Sequence, residues 1–288
     1  MSRLRIGLVS PIVTANPGAH AGWEETAGVA ELAKIAQTAD RLGFDHLTCS
    51  EHVAVPADVA AQRGATYWDP LATLSYLAAH TERIRLATQV LVLGYHHPLA
   101  IAKRYGTLDL ISGGRLVLGL GVGSLQEEFD LLGATFEGRG AIADDALAAL
   151  RAALGERTPS YQGTHFSFRD LVVDPHAVQQ QVPLWIGGRT PRSLRRAITL
   201  GDGWVPFGLG LADLADLLAG VELRDDFEVV LSPGRPVDPL GDRQATADRL
   251  ARVRSAGATL VSTAVHATSV DHYCEQLEAL ATIDREIG

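Results

Sequence analysis

Short apolar runs alternate with longer amphipathic stretches along nearly the whole chain, and the alternation predicts strands and helices in turn. Arg5 to Ser10 reads as a buried first strand. Trp23 to Leu42 carries apolar residues at helical spacing and stops at Gly43. Phe44 to Cys49 is a second strand, and Asp69-Pro70 opens a helix to about His80, with proline at its first position. Ile84 to Val92 is a third strand and Pro98 to Ile111 a third helix, closed by Ser112-Gly113-Gly114. Leu116-Val117-Leu118 then begins a fourth strand with no polar face, as a strand covered on both sides requires. Ala141 to Leu154 is a fourth helix, rich in alanine and leucine. The remainder reads as strand Pro183 to Gly187 with a helix to Leu200, strand Gly203 to Pro206 with helix Leu211 to Leu218, strand Phe227 to Leu231 with helix Arg243 to Ala256, and strand Ala258 to Ala264 with helix Val270 to Ile287.

Eight strand–helix pairs in strict alternation predict parallel strands, which close as an α/β (β/α)8 TIM barrel; a doubly wound open sheet is the alternative. With no Pro/Gly-rich linker and no repeat, residues 1–288 read as one domain. Segments 53–68 and 125–180 are insertions after strands two and four, on the face where barrel active sites lie. Within the second, Tyr161 to Val173 alternates around a glycine and predicts a surface hairpin. The segment is expected to form a mobile cover over the barrel mouth.

Composition narrows the partners. Hydrophobic residues make up 47 % of the 288, enough for a large core, and the net charge of −9 argues against nucleic acid. Two cysteines, Cys49 and Cys274, stand in no metal or redox motif and read as free thiols of a reducing cytoplasm. Met1-Ser-Arg-Leu-Arg leads straight into a strand without a signal-peptide pattern, and no apolar run approaches a membrane span. A cytoplasmic protein without membrane contact is expected.

Candidate chemistry sits at the strand ends. Ser50-Glu51-His52 ends strand two, so Glu51 and His52 should point into the mouth, where His52 can exchange a proton near neutral pH; a structural strand-end pair is the other reading. Strand alternation separates Cys49 from His52. Gly119, Gly121 and Gly123 alternate at the end of strand four, which implies either a flat ligand against the backbone or tight internal packing. Their spacing is not the dinucleotide fingerprint. Gly187-Gly188-Arg189-Thr190-Pro191-Arg192-Ser193 combines a glycine turn, a capping threonine and N-terminal proline with two arginines, a candidate anion site at a helix start. Thr88-Gln89-Val90 reads as plain buried strand, and His96 and His97 as solvated loop residues, since no ligand set for a metal accompanies them.

Several pieces together resemble the luciferase-like monooxygenase superfamily, in particular its branch using the deazaflavin coenzyme F420. They are Ser50-Glu51-His52, Pro98 with Ala102-Lys103, Leu108-Asp109, Ser112-Gly113-Gly114-Arg115, Gly119-Leu-Gly-Val-Gly123, Glu128-Phe129, Leu132-Gly133, Arg139, Trp185-Ile-Gly-Gly188 and Gly201-Asp-Gly-Trp204. The resemblance implies the same barrel, a small-molecule substrate, a homodimer, and hydride transfer between F420 and a small organic substrate. It implies cofactor contacts at Ser50, Thr88, Gln89, Val90, Gly119, Gly121, Val122, Gly123, Ser124, Gly187, Gly188, Arg189 and Arg192, with Glu51 and His52 beside the reactive ring. It further implies a bulge at Gln89-Val90, often with a non-proline cis peptide. Arg195 or Arg196 is left for the acidic tail of F420, and Trp204 can wall the ring. Ser124 stands where sugar-phosphate dehydrogenases of the family carry a catalytic glutamate, which argues against that activity. An FMN-dependent monooxygenase and a non-catalytic cofactor carrier are the alternative functions.

Overall fold

The computed structural model describes residues 4–15 and 20–287; Met1 to Arg3, read above as leading into the first strand, lie outside them. In chain order the strands are β1 (Arg5–Val9), β2 (His46–Cys49), β3 (Arg85–Thr88), β4 (Leu91–Val92), β5 (Leu116–Gly121), β6 (Tyr161–Gln162), β7 (Ser167–Phe168), β8 (Leu184–Gly187), β9 (Gly203–Val205), β10 (Glu228–Leu231) and β11 (Leu260–Thr263). The helices are α1 (Val29–Leu42), α2 (Ala57–Arg63), α3 (Pro70–His80), α4 (Pro98–Ser112), α5 (Gln126–Leu131), α6 (Arg139–Ala153), α7 (Pro191–Leu200), α8 (Leu211–Ala219), α9 (Arg243–Ser255) and α10 (Val270–Ile287).

β3 and β4 are two pieces of one stave, interrupted at Gln89-Val90, and both pair with β5. Counting them together, eight parallel staves close into the expected barrel. β1 and β11 seal it, with Arg5 opposite Leu260 and Leu8 opposite Thr263. Ala87, Val117, Trp185, Val205, Val230 and Leu260 come from six different staves and fill the lumen. The larger apolar cluster lies between barrel and helices. No helix among the described residues is long and apolar enough to cross a membrane.

The strand starts are closed by charge rather than by apolar packing. Arg85 donates to Asp45 at 2.5 Å and to Glu228 at 3.1 Å, and Trp185 Nε1 donates to Glu228 at 2.5 Å. His46 is fully buried beside them, with Nδ1 2.8 Å from Asp45. A Cβ on Gly7 would sit 2.2 Å from the His46 ring, so only glycine leaves room for it.

Two elements differ from expectation. The stretch Trp23 to Leu42 is a short 3-10 turn (Gly22–Glu25) followed by α1, because Gly28 is extended and Glu31 reaches back to its N–H at 2.8 Å, starting the helix there. The segment 125–180 does not cover the mouth as a unit, since α6 belongs to the regular outer ring. The β6–β7 hairpin forms as predicted but lies along that ring: Tyr161 O–H donates to Asp145 of α6 at 2.6 Å, and the Phe166 ring meets His97 edge-on at 5.4 Å. Its continuation is anchored there too, with Gln179 donating to Asp109 of α4. Of this segment, Gly138 to Ala141 at the start of α6 line the space at the mouth, and α5 places Glu128 behind His52.

Candidate active site

The interruption between β3 and β4 shapes the floor of the site. The Gln89-Val90 peptide is cis without proline. Hydrogen bonds fix both sides of it: Gln89 N–H donates to Cys49 O (2.9 Å), the Ser50 hydroxyl to Gln89 O (2.8 Å), and Glu51 N–H to Val90 O (3.3 Å). The Val90 side chain then projects between the ends of β5 and β8. A Cβ on Gly121 would fall 2.7 Å from it, and one on Gly187 3.0 Å from it.

The same contacts show what the glycines of β5 face. A Cβ on Gly119 would lie 2.0 Å from Thr88 O, and one on Gly123 would lie 2.5 Å from the Phe129 ring. All three glycines face protein, which is the internal-packing reading. Thr88 and Gly119 are a correction to the expected cofactor contacts: both are fully buried, and the Thr88 hydroxyl donates to Gly119 O at 2.7 Å, beneath the floor. Gly121 and Gly123 still border the space above through their backbones.

That space is a chamber of about 260 Å³ at the strand ends. Ser50, Glu51, His52, Gln89, Val90, Gly121, Val122, Gly123, Ser124, Gly187 and Gly188 line it, all expected from the sequence. Tyr67, Val92, Tyr95 and Phe207 complete the wall and had no sequence signal. Arg189 and Arg192 line a second cleft of about 570 Å³, which shares Val122 to Ser124, Gly187, Gly188 and Phe207 with the chamber.

Two histidine–carboxylate pairs border the chamber. His52 Nδ1 is 2.7 Å from Glu128 Oε2, and its ring meets Tyr67 edge-on at 4.5 Å. Glu128 is fully buried and also accepts from Tyr95 O–H (2.6 Å) and from the N–H groups of Val53 (2.5 Å) and Ala54 (3.2 Å). Burial alone would raise its pKa; the bonds from Tyr95, His52 and Val53 outweigh that and hold it below the usual value. An ionised Glu128 only accepts, so Nδ1 carries the hydrogen and the neutral ring keeps its lone pair on Nε2. Nε2 bonds no protein group among the described residues. Glu51 accepts from Val92 N–H at 2.7 Å and pairs with His96 Nε2 at 2.7 Å. His96 is therefore not a solvated loop residue, whereas His97 is exposed and caps α4 by accepting from Leu99 N–H. Cys49 points away into the core, where burial pushes its thiol up to about 12.

Glu128 is the buried partner of His52 that reading the sequence missed. It follows Glu127 in a short acidic run, which looks like any solvated helix start; only its placement against Tyr95 and residues 52–54, just after β2, buries it.

In the outer cleft, Thr190 caps α7 as expected, but reciprocally. Ser193 N–H donates to Thr190 Oγ1 and Thr190 N–H to Ser193 Oγ, so those two amides are spent inside the protein. Guanidinium groups remain the main anion donors. Arg189 and Arg192 are exposed, the Arg192 side chain at 64 %. Arg196 is buried, pairs with Asp144 and donates to Gly140 O, which removes it as a tail contact; Arg195 is exposed but does not line the cleft. Arg139 lines it too, donating to Gly123 O at 3.0 Å and lying over the Phe136 ring. Trp204 is fully buried core and walls nothing. Among the described residues no cluster has the composition of a metal site.

The comparisons with known proteins agree with this architecture. The F420-dependent glucose-6-phosphate dehydrogenase of Microbacterium testaceum is 30 % identical over 190 residues, covering 63 % of this chain and 53 % of that one. The crystal structure of the monooxygenase RslO1 from Streptomyces bottropensis superposes with a TM-score of 0.74 at 22 % identity, covering 97 % of this chain and 98 % of that one. An F420-dependent secondary alcohol dehydrogenase in complex with an F420-acetone adduct gives the same TM-score at 14 % identity, covering 97 % and 99 %. At those identities the two structures speak for a shared barrel. Residues 5–236 match the family model of the luciferase-like monooxygenases, and the chain belongs to that family.

Proposed function

We propose that this protein is an F420-dependent oxidoreductase that moves hydride between the deazaflavin and a small organic substrate, with His52 exchanging the accompanying proton. The observation that carries this reading is the placement of His52 Nε2 in a chamber continuous with an arginine-lined cleft. The residues present fit the group. Gln89 and Val90, with Val90 packed against Gly121 and Gly187, offer a floor for the ring system. Arg189 and Arg192 offer charge-assisted bonds to its phosphate and acidic tail.

When bound, F420 supplies the ring carbon that takes or gives hydride. The chain's own residues do the rest. His52 Nε2 would take the hydroxyl proton of an alcohol substrate as it is oxidised, and would return a proton to the oxygen of a carbonyl as it is reduced. Glu128 fixes the tautomer and ring orientation of His52 and balances the charge when the ring is protonated. Glu51 holds Val92 N–H and His96, steadying the floor next to the interruption.

Anaerobic mixing of the protein with reduced F420 and a carbonyl substrate should oxidise the cofactor with catalytic turnover. Turnover only with reduced FMN, coupled to oxygen consumption, would instead assign the monooxygenase reading. Binding of F420 without turnover of any carbonyl or alcohol would assign the carrier.

A further inference from the structure

The chamber and the outer cleft share a border but differ in charge. Arg139, Arg189, Arg192 and Arg196 all line the cleft. Among the described residues no Lys or Arg side chain lines the chamber. Its ionisable groups are Glu51, with Glu128 just behind His52, and each carboxylate is matched by a single histidine at 2.7 Å. The lining is therefore at most neutral. The rest of the wall is Val90, Val92 and Val122, three aromatic rings (Tyr67, Tyr95 and Phe207), four glycines, and the uncharged polar residues Ser50, Gln89 and Ser124.

We infer that the substrate is an uncharged, largely apolar molecule with one oxygen for His52 Nε2, and that phosphate esters and carboxylates are shut out of the chamber. The inference rests on the oxidoreductase reading of the same site and names its substrate class. An anion entering here leaves water without gaining a cation, and a buried unpaired charge is costly. It also approaches the Glu128 carboxylate across the His52 ring, and like charges in a partly buried site repel. Sites for phosphate esters use guanidinium or ammonium groups. Here those groups sit in the cleft, where the exposed Arg189 and Arg192 are placed for the cofactor's own phosphate and tail. Ser124, at the border of the two spaces, adds a hydroxyl and no charge. The glucose-6-phosphate dehydrogenase among the relatives thus shares the barrel without sharing this chamber's substrate class.

A matched pair of probes tests this: 4-methylcyclohexanone and 4-oxocyclohexanecarboxylate, which differ by a methyl against a carboxylate. Both are titrated calorimetrically into the protein with and without F420, in phosphate buffer so that inorganic phosphate competes for the outer arginines. The ketone is expected to bind about tenfold tighter or more, equivalent to about 1.4 kcal/mol. Phe207→Lys adds a cation at an exposed wall position, so it should strengthen carboxylate binding and shrink that ratio to within about threefold. Equal or tighter carboxylate binding by the wild type overturns the inference, as does failure of both probes to bind. F420 binding is scored separately: its absence defeats the oxidoreductase reading, while the order of the two probes on the cofactor-free protein still decides the charge of the chamber.

Discussion

At the residue scale the proposed chemistry rests on His52 and Glu128 acting together. His52→Ala should lower turnover about tenfold or more, corresponding to at least about 1.4 kcal/mol of barrier, with F420 affinity nearly unchanged. Glu128→Gln keeps the shape but presents an amide to Nδ1, so it should slow turnover as well. Because the two side chains form one unit, the double variant is expected to be no slower than His52→Ala alone. Multiplicative losses in steady-state kinetics would show that Glu128 acts independently of His52. Cys49, buried and with its thiol donating toward Trp68 O, is expected to resist alkylation in the folded protein.

At the element scale the decisive contact is β5 against the interrupted stave β3–β4. Gly119→Ala would drive a methyl group against the backbone carbonyl of Thr88, which no rotamer can relieve. The expected loss is about 1–3 kcal/mol of stability, measured by urea unfolding, where a ring-contact role for Gly119 would have left stability intact and weakened only the cofactor. The same stretch shows what was legible in the sequence. Strand and helix order could be read because two-sided burial and capping are local signals, as at Leu116-Val117-Leu118 and Asp69-Pro70. The strand-end residues Ser50 to His52 and Gly187 to Arg192 could be read because a barrel puts strand ends on one face. What the glycines face, the pairing of Glu128 with His52, and the burial of Arg196 against Asp144 depend on which distant elements meet, and no local pattern encodes that. The hairpin was legible as a hairpin, but its docking on α4 and α6 was not.

At the scale of the whole molecule the two ends of the barrel do different work. At the closed end, burial holds the His46 ring below its usual pKa, so the unfolded chain binds that proton more readily. Burial works to raise Asp45, but His46 and Arg85 outweigh it and hold its carboxyl well below the usual range. Both groups therefore favour the folded state at neutral pH, and both contributions are lost as pH falls. The His46 contribution should fade below about pH 6.5 and the Asp45 contribution below about pH 4. Urea midpoints measured across pH should drop in both windows, and His46→Asn should flatten the upper one; an unchanged slope there would remove His46 as its source. At the open end, an acidic chain of net charge −9 gathers arginines at one cleft beside a chamber lined by no Lys or Arg among the described residues. That division is the central claim, and the most direct test is a paired titration of the cofactor-free protein with F420 and with FMN at matched, stepped ionic strength. F420 is expected to bind more tightly, with its affinity falling as salt rises and falling less steeply in Arg192→Ala. Tighter binding of FMN, or F420 binding indifferent to both salt and Arg192, would contradict it.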